Sequence, residues 1–358
     1  MQHIAFRTDA TSQIGTGHFM RCLTLADGLK QRGAHICFVS RDLPVHLRDM
    51  LAAKDMEFVP LGSGTTLFSP GDLAHASWLG TSQAQDAQTT IQALSGQSWD
   101  WLVVDHYALD ARWESALRGT VKKIMVIDDI ADRQHDCDVL LDQNFYTDMQ
   151  TRYMGKVPSH CELLMGPRYA LLRDEFRQLR ERVKPRTGNV NRILVFFGGV
   201  DADNYTAQAI EALSEIDIPD LHVDVVIGAQ HPCREQIKTA CVRHGFICHV
   251  QTDKMAELIA AADLAIGAGG SATWERCCLG LPALLVALAD NQVNIAKALD
   301  WVGACIYVGT LKMASAPIMR NTMVSLLSTQ NQLRGLSEKS YSLVDGLGVD
   351  RVCQEMSC

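Results

Sequence analysis

The segment that follows the first apolar run of the sequence combines two glycines with a histidine and an arginine, namely Gly15, Gly17, His18 and Arg21. We expect a strand to end before it and a helix to begin at His18, with both glycines at positive φ so that the backbone can approach a ligand closely. The unpaired N–H groups of a helix N-terminus favour an anion such as a diphosphate. The same field favours a neutral His18, which suits a general base, since the ordinary pKa of histidine is about 6.5. Arg21 lies one turn further on and can meet a phosphate or a carboxylate; the alternative is a tight turn in which His18 merely caps the helix.

A second predicted strand-to-helix turn is richer in glycine and contains Gly269, Gly270 and Ser271. Its N–H groups and hydroxyl suit a pyrophosphate. Glu275, about one turn into the following helix, can accept two hydrogen bonds from a ribose diol. The spacing is neither the dinucleotide-binding GxGxxG pattern nor a Walker loop, because no lysine follows. A third turn, which contains Gly199, admits a phosphate or a sugar, or is simply structural.

Carboxylates follow several of the predicted strands. Asp105 ends one of them and can orient His18, contact a sugar hydroxyl or cap the next helix. The pair Asp128 and Asp129 ends another strand; a metal site or an acid/base couple is conceivable, but we favour helix capping. The polar run at 290–292 also offers good capping chemistry. The histidines show no HxxxH or HExxH spacing, so we predict no metal site.

The elements that position these residues are short apolar runs separated by helical patterns. Such nearly continuous runs predict parallel sheets covered on both faces. The fold class is therefore α/β, with two doubly wound Rossmann-like domains that face a cleft. The least periodic segment, 62–80, is expected to be a surface loop over the site. The predicted strands are 4–8, 35–40, 57–61, 101–106 and 123–129, then 193–199, 222–228, 245–250, 263–270 and 283–288.

The rhythm of strands and helices pauses over residues 173–192, which are charged and contain little to bury. We interpret this segment as a helix that runs into a linker. The predicted division is a first domain over 1–175 that carries the catalytic base, a linker over 176–191 and a nucleotide-binding domain over 192–358. After about residue 310 we expect a C-terminal helix.

Length and composition narrow the class of protein. The 358 residues exceed one comfortable core, which predicts two domains. With 33 basic and 41 acidic residues the net charge is −8, and no compact basic run offers a stripe for nucleic acid. The sequence has no run of 18 apolar residues and no secretory signal at its start, so we expect no membrane partner. The 12 cysteines form no CxxC pair, which favours buried reduced thiols and a cytoplasmic location.

The motifs together carry a resemblance to a known family. The order of RTDATSQIGTGHFMR, VVDHY, YALLRDEF, FFGGVD, GAGGSATWE and DNQ resembles the nucleotide-sugar hydrolases of pseudaminic acid biosynthesis, from residue 1 to about 310. The second half also resembles the nucleotide-binding half of GT-B glycosyltransferases, notably the one that adds N-acetylglucosamine in peptidoglycan synthesis. The resemblance implies a GT-B-like fold and a role in flagellin glycosylation.

The same resemblance implies a substrate and a reaction. The substrate is a UDP-sugar, UDP-2,4-diacetamido-2,4,6-trideoxy-β-L-altropyranose, and water replaces UDP by cleavage of the anomeric C–O bond, with no metal or organic cofactor. The general base is His18, and Glu275 holds the ribose. The diphosphate is held by Gly269, Gly270 and Ser271. Four further residues line the sugar or diphosphate region: Tyr107, Tyr169, Arg173 and Asn291. We expect a monomer.

Two other functions remain open. A glycosyltransferase would use the same fold with an acceptor alcohol in place of water. Its lipid-linked acceptor would call for an exposed patch, for which Leu67, Phe68 and Trp78 are too few. A non-catalytic sugar-nucleotide-binding protein would keep Glu275 and lose the base, whereas this sequence retains the whole run from Gly15 to Arg21.

Overall fold

Two parallel sheets, each in its own unit, organise the chain. The computed structural model describes residues 1–11, 13–62, 73–184 and 186–357. The first unit comprises residues 1–144, 148–171 and the C-terminal segment from 348, and the second comprises 145–147 and 172–347. Each unit alternates strands with helices, as the apolar runs of the sequence predict.

The strands of the first unit form a seven-stranded sheet in the order β3-β2-β1-β4-β5-β6-β7, and those of the second a six-stranded sheet in the order β10-β9-β8-β11-β12-β13. All the pairings in both sheets are parallel among the described residues. The strands are β1 (His3–Thr8), β2 (His35–Ser40), β3 (Glu57–Pro60), β4 (Trp99–Asp105), β5 (Val121–Ile127), β6 (Val139–Asp142), β7 (Glu162–Met165), β8 (Arg192–Phe196), β9 (His222–Ile227), β10 (Ile247–Val250), β11 (Leu264–Ala268), β12 (Ala283–Ala287) and β13 (Ile306–Thr310).

Helices connect the strands and cover the sheets. Two short 3₁₀ helices, Ala76–Leu79 and Pro167–Tyr169, interrupt the first unit. The α-helices are α1 (Gly17–Gln31), α2 (Val45–Ala53), α3 (Gln83–Ala93), α4 (Ala111–Leu117), α5 (Asp174–Arg180), α6 (Tyr205–Ser214), α7 (Arg234–His244), α8 (Met255–Ala261), α9 (Ala272–Cys278), α10 (Asp290–Trp301), α11 (Ala316–Leu327), α12 (Gln330–Leu343) and α13 (Gly348–Glu355).

The first sheet buries both of its faces. Ile4 and Phe6 of β1 join one apolar cluster, whereas Ala5 between them joins a second cluster on the opposite face. This alternation follows from the two-residue period of a strand. Since β1, β4 and β5 are neighbours and run parallel, their carboxyl ends meet at one edge of the sheet. The segments after β1, β4 and β5, which carry the first candidate site residues, are thereby brought together.

The predicted linker belongs to the second unit instead. Helix α5 packs against α8 and α9. Arg186, which is buried, donates to the backbone carbonyls of Ile259 and Ala262 at the C-terminal end of α8. The charged segment therefore has a fixed place because its arginine satisfies carbonyls that a helix end leaves unpaired. The division between the units lies at 171–172 rather than after 175.

The C-terminal end of the chain corrects the predicted second domain of 192–358, because α13 returns to the first unit. Val352, Cys353 and Met356 are fully buried in the cluster that α1 also joins. The indole N–H of Trp101 donates to the Met356 carbonyl over 2.9 Å. A Cβ on Gly348 would lie 2.2 Å from the Ala170 carbonyl oxygen, so glycine is required at the first residue of α13.

Three strands were not predicted, and part of one predicted loop is outside the described residues. The strands are β6, β7 and β13, each four or five residues long. The expected loop over 62–80 includes residues 63–72, and with them Leu67 and Phe68, that lie outside the described part of the chain. In the described part, no helix has both the length and the apolar character needed to cross a membrane.

Candidate functional site

A buried ion-pair network fixes the start of the loop that leads to His18. Arg7 at the end of β1 donates to both carboxylate oxygens of Asp86 over 3.1 and 2.9 Å and pairs with Asp9 over 2.8 Å. Asp9 in turn accepts the backbone N–H of Arg41 over 2.7 Å. These groups are buried, and ion pairs of this kind hold their geometry when every charge is matched. Arg7 and Asp9 therefore help to fix the conformation of the loop.

The loop turns into α1 through a left-handed glycine. Gly15 has φ +77° and donates to the Thr11 carbonyl over 2.8 Å. The expectation of positive φ is wrong for Gly17, which is the first residue of α1. A Cβ at either glycine would meet nothing within 4 Å, so this surface is open to a ligand. The N-cap of α1 is Thr16, and the alternative of His18 as the capping residue is therefore wrong.

His18 and Asp105 form a hydrogen-bonded pair. The Nδ1 atom of His18 lies 2.5 Å from Oδ1 of Asp105, whose side chain is fully buried at the end of β4. Arg21, one turn along α1, clamps the same carboxylate through Nε (2.5 Å to Oδ2) and Nη2 (2.7 Å to Oδ1). Of the alternatives predicted for Asp105, the structure therefore favours orientation of His18. Of the two partners predicted for Arg21, a phosphate or a carboxylate, it contacts carboxylates.

A second carboxylate completes this cluster. Arg21 donates through Nη1 to Oδ2 of Asp129 over 2.9 Å, and the Tyr107 hydroxyl donates to the other oxygen of Asp129. We call His18, Arg21, Asp105, Tyr107 and Asp129 the dyad cluster. Helix α1 and the ends of β4 and β5 supply its members, so the parallel sheet of the first unit determines their meeting.

The charges of the dyad cluster decide which nitrogen of His18 carries a proton. Burial opposes ionisation of Asp105, but Arg21 and His18 hold the pKa of that carboxyl well below its usual range. An ionised carboxylate can only accept, so Nδ1 of His18 donates to it, despite the 3.2 Å contact between Nδ1 and Nη2 of Arg21. The other ring nitrogen, Nε2, has no hydrogen-bond partner among the described residues, and in a neutral imidazole of this tautomer it is the atom that can accept a proton.

The capping interpretations of the strand-end carboxylates are corrected by these contacts. The N-cap of α4 is Asp110, which accepts the Arg112 N–H, so Asp105 does not cap it. No helix follows Asp129 directly in the described chain, because residues 130–138 form turns and extended backbone. Asp128 accepts the Ala131 N–H over 2.9 Å within such a turn and pairs with Arg133. Asp129 is a site residue that the sequence reasoning missed.

Aromatic rings surround the histidine of the dyad cluster. Tyr107 stands edge-on to His18, with ring centroids 4.6 Å apart, and Trp78 lies 6.4 Å away. Trp78 stacks on Tyr107 at 5.6 Å and contacts His75 at 4.6 Å. We call Trp78, His75 and Tyr107 the aromatic wall. Trp78 and His75 come from the segment expected to lie over the site, and their roles were not predicted.

The glycine turn of the second unit lies between β11 and α9. A Cβ on Gly267 would lie 2.1 Å from the Phe196 carbonyl oxygen, so this glycine serves close packing. Gly269 donates its N–H to the Val286 carbonyl over 3.2 Å. The backbone N–H groups of Gly270 and Ser271 have no acceptor within the described chain. Those two donors are free for an anion.

Three predicted residues near this turn differ in their surroundings. Glu275 is 22% exposed and lies 3.8 Å from Nη2 of Arg173, which also pairs with Glu175 over 3.0 Å. Burial raises the pKa of Glu275, and Arg173 opposes that shift. Asn291 is exposed in the first turn of α10, whose N-cap is Ala289, so the run at 290–292 does not supply the N-cap.

Gln292 takes the place beside the glycine turn where Asn291 was expected. Its side chain would lie 3.5 Å from a Cβ at Gly269 and 3.8 Å from one at Gly270. Its Oε1 accepts the Leu288 N–H over 3.0 Å, which holds the amide in place. The DNQ motif pointed to this region, but the helical position of each residue could not be assigned from the sequence.

Gly199 and Tyr169 lie elsewhere. Gly199 follows β8, and its carbonyl oxygen would be 2.0 Å from a Cβ on Gly228, so the turns after β8 and β9 touch. Asp201 next to it caps α6 through the N–H groups of Tyr205 and Thr206. Tyr169 packs against the apolar core of the first unit, with no contact to the dyad cluster.

The remaining reactive groups are the side chains that could bind a metal ion and the cysteine thiols. Within the described chain, no group of three or more His, Cys, Asp or Glu side chains has the geometry to hold a metal ion. The cysteines of this part of the chain are free thiols, and most are buried. Cys22 lies 3.6 Å from Asp105, and burial raises the pKa of its thiol.

Comparison with known proteins adds to this geometry. Residues 192–329 match the model of the glycosyltransferase family 28 C-terminal domain. The chain is 23% identical over 353 residues to the spore coat polysaccharide biosynthesis protein SpsG of Bacillus subtilis (strain 168), with 98% of this chain and 96% of SpsG covered. It is 24% identical over 295 residues to the UDP-2,4-diacetamido-2,4,6-trideoxy-beta-L-altropyranose hydrolase of Campylobacter jejuni, with 82% and 94% covered.

A solved structure shows the fold. MurG from Acinetobacter baumannii superposes with a TM-score of 0.67 at 15% identity, over 100% of this chain and 99% of that one. The GT-B-like α/β class predicted from the sequence is thereby confirmed. The predicted resemblance to the pseudaminic acid pathway hydrolase is confirmed as a similarity over most of the chain.

Proposed function

We propose that this protein is a nucleotide-sugar hydrolase that releases UDP from a UDP-sugar by attack of water on the anomeric carbon. The observation that carries the proposal is the His18–Asp105 pair, with Nε2 of His18 unpaired in the described chain at the start of α1. A GT-B-like fold and a GT28-like second unit support a nucleotide sugar as the substrate. The hydrolase among the relatives supports water as the acceptor.

The proposed chemistry assigns tasks to three members of the dyad cluster, His18, Asp105 and Arg21. Nε2 of His18 removes a proton from water as the water oxygen bonds to the anomeric carbon. The bond from that carbon to the UDP oxygen breaks, and its electron pair leaves on the β-phosphate. Asp105 stabilises the imidazolium that forms, and Arg21 holds Asp105 in place. General-base assistance of this kind contributes about 10² to 10⁴ in rate.

Two sets of residues are assigned to substrate binding in this proposal. In the second unit, Gly269, Gly270 and Ser271 bind the diphosphate and Glu275 binds the ribose. Arg173 positions Glu275, and Gly199 and Asn291 line the same ligand.

In the first unit, Gly15 and Gly17 offer open backbone beside the sugar or phosphate. The aromatic wall supplies apolar faces for the ring and its acetamido groups. Tyr169 is proposed to act as a sugar-region residue, as the resemblance implies.

The proposed substrate is UDP-2,4-diacetamido-2,4,6-trideoxy-β-L-altropyranose, the sugar nucleotide named by the similar hydrolase. The protein would then serve pseudaminic acid biosynthesis in the cytoplasm, as a monomer. Free cysteines support a reducing compartment.

The test is an NMR time course on this substrate with wild type, His18→Asn and His46→Asn. We expect UDP and free sugar from wild type, and a loss of about 10²- to 10⁴-fold in His18→Asn. His46 is an exposed histidine of α2 and serves as the matched control. In ¹⁸O-water the released UDP stays unlabelled if the C–O bond breaks. Equal rates in all three proteins would remove His18 from the mechanism.

A glycosyltransferase is the second candidate, favoured by the family 28 match. In that case the same His18 would remove a proton from an acceptor hydroxyl rather than from water. A screen of acceptor alcohols with the same UDP-sugar separates the two. UDP release that requires an acceptor, and does not occur in buffer, would establish the transferase and exclude the hydrolase.

A further inference from the structure

Arg276 lies directly beneath the glycine turn of the second unit. It is 3% exposed, on α9, and its Nη2 donates to the Ala268 carbonyl over 2.7 Å and lies 3.0 Å from the Thr273 hydroxyl. A Cβ on Gly267 would be 3.3 Å from its Nη1. The guanidinium group is thus packed under the turn whose Gly270 N–H faces no acceptor in the described chain.

Within the described chain, Arg276 lacks a carboxylate partner, and it has fewer hydrogen-bond acceptors than Arg186, the other buried arginine that lacks one. Arg7, Arg21 and Arg133 each pair with carboxylates. Arg186 has no carboxylate, but several carbonyls at the end of α8 accept from it. Arg276 forms no ion pair with a carboxylate among the described residues, and its buried Nε has no hydrogen-bond partner.

A buried, unmatched cation is costly unless something compensates it. Burial lowers the pKa of Arg276, although the guanidinium stays charged at neutral pH because its ordinary pKa of 12.5 is so high. Glu275, the preceding residue of α9, partly offsets the effect of burial on the pKa of Arg276, but its ion-pair contact is with Arg173. The compensating group is therefore to be sought outside the chain, on the open side of the turn.

We propose that Arg276 is a positioning residue whose positive charge, beneath the glycine turn, selects a diphosphate over an uncharged nucleoside. The inference rests on the proposed function and goes beyond it by assigning the charge that the ligand neutralises. The bond to the Ala268 carbonyl fixes the turn, and the field of the guanidinium adds to that of the free N–H groups of Gly270 and Ser271. Affinity should therefore depend on the number of phosphate charges.

The test measures the dissociation constants of uridine, UMP and UDP by calorimetry on the full chain. Arg276→Lys keeps the charge and loses the planar fork, whereas Arg276→Gln keeps a donor and loses the charge. We expect Arg276→Gln to weaken the binding of UDP by about tenfold or more, that of UMP less and that of uridine little, because the Coulomb attraction of the guanidinium grows with the charge of the ligand. Arg276→Lys should retain most of the UDP affinity. The control is Arg192→Met, which removes a partly exposed arginine at the start of β8 that pairs with the buried Asp224.

Four outcomes would count against the proposals, and each of them can be measured. An unchanged ratio of UDP to uridine affinity in Arg276→Gln overturns the inference. So does an equal loss for all three ligands in both variants, since that indicates a purely structural role. Circular dichroism checks the fold of each variant. If Arg276→Gln does not fold, Arg276→Lys alone serves as the test, and the inference is overturned if this variant binds UDP no more tightly than uridine. Wild type that binds no UDP overturns the proposed function itself.

Discussion

The dyad cluster and the glycine turn treat their polar groups in opposite ways. In the dyad cluster each charged group has a partner within the chain: Arg21 bonds to Asp105 and Asp129, and Asp105 bonds to His18. At the glycine turn, Arg276 has no carboxylate partner and the N–H groups of Gly270 and Ser271 have no acceptor in the described chain.

This difference fits the roles that we propose: catalysis for the dyad cluster and ligand binding for the glycine turn. A general base must have its orientation fixed before the substrate arrives, which requires partners inside the protein. An anion site gains affinity when its donors have no internal partner to give up. The dyad cluster therefore has its compensating charges within the chain, and in our proposal the ligand supplies them at the glycine turn.

The strongest test of the matched cluster is Asp105→Asn. Without the carboxylate charge, His18 is no longer held with its proton on Nδ1, and the imidazolium loses its partner. We expect the turnover number for the UDP-sugar to fall about 10³- to 10⁴-fold, with the dissociation constant of UDP unchanged. A continuous assay of UDP release measures it.

The matched control for that variant is Asp110→Asn. Asp110 is also a buried carboxylate of the first unit, but it caps α4. Asp110→Asn should cost less than about 1 kcal/mol of stability, because Asn caps a helix about as well as Asp, and it should leave turnover intact. The double variant His18→Asn with Asp105→Asn should be no slower than His18→Asn alone, because the two residues act as one unit. Additive losses would contradict the pairing.

A second prediction compares two buried arginines by stability. Arg21→Met leaves Asp105 and Asp129 buried without their shared cation, which should cost about 3–5 kcal/mol of unfolding free energy. Arg276→Met strands no carboxylate and should cost clearly less. Chemical denaturation of the ligand-free protein at pH 7, followed by circular dichroism, gives both midpoints. Equal losses of unfolding free energy in the two variants would show that the dyad cluster and the glycine turn do not differ in how their charges are compensated within the chain.

Much of this arrangement could be predicted from the sequence because it is local. The glycines, His18 and the strand before them lie within one short segment, and the parallel-sheet rule places strand ends together. The missing strands were short: β6 is four residues long and fully buried, too brief to show a period. Boundaries such as that of α1 differ by one or two residues, as frayed ends do.

The remaining features depend on partners distant in the sequence. Arg21 meets Asp129 across 108 positions, and no local pattern distinguishes that carboxylate from its neighbour Asp128. A C-terminal helix was expected after about residue 310, but not that α13 packs on α1 of the first unit. Trp78 gave no signal because its contacts with Tyr107 arise from tertiary packing.

The smallest predicted effect is a pH dependence of stability in the charged network behind the dyad cluster. Burial, with Asp129 adding to it, raises the pKa of Asp142 from 3.8 to about 8. Burial lowers the pKa of His135, but Asp128 and Glu114 more than offset this and raise it from 6.5 to about 9. Both groups therefore bind protons more tightly in the folded chain than in the unfolded one.

Stability from both groups is consequently present at low pH and lost as the pH rises, through about 8 for Asp142 and about 9 for His135. Each of the two groups changes the unfolding free energy by at most about 1.4 kcal/mol per pH unit. The unfolding free energy should fall between pH 6.5 and 8, and Asp142→Asn should flatten that slope. Asp136→Asn should not, because Arg118 holds the pKa of Asp136 below its ordinary value, far from this range. Denaturation midpoints that stay level in wild type would mean that neither group takes up a proton on folding, and that the network is matched without one.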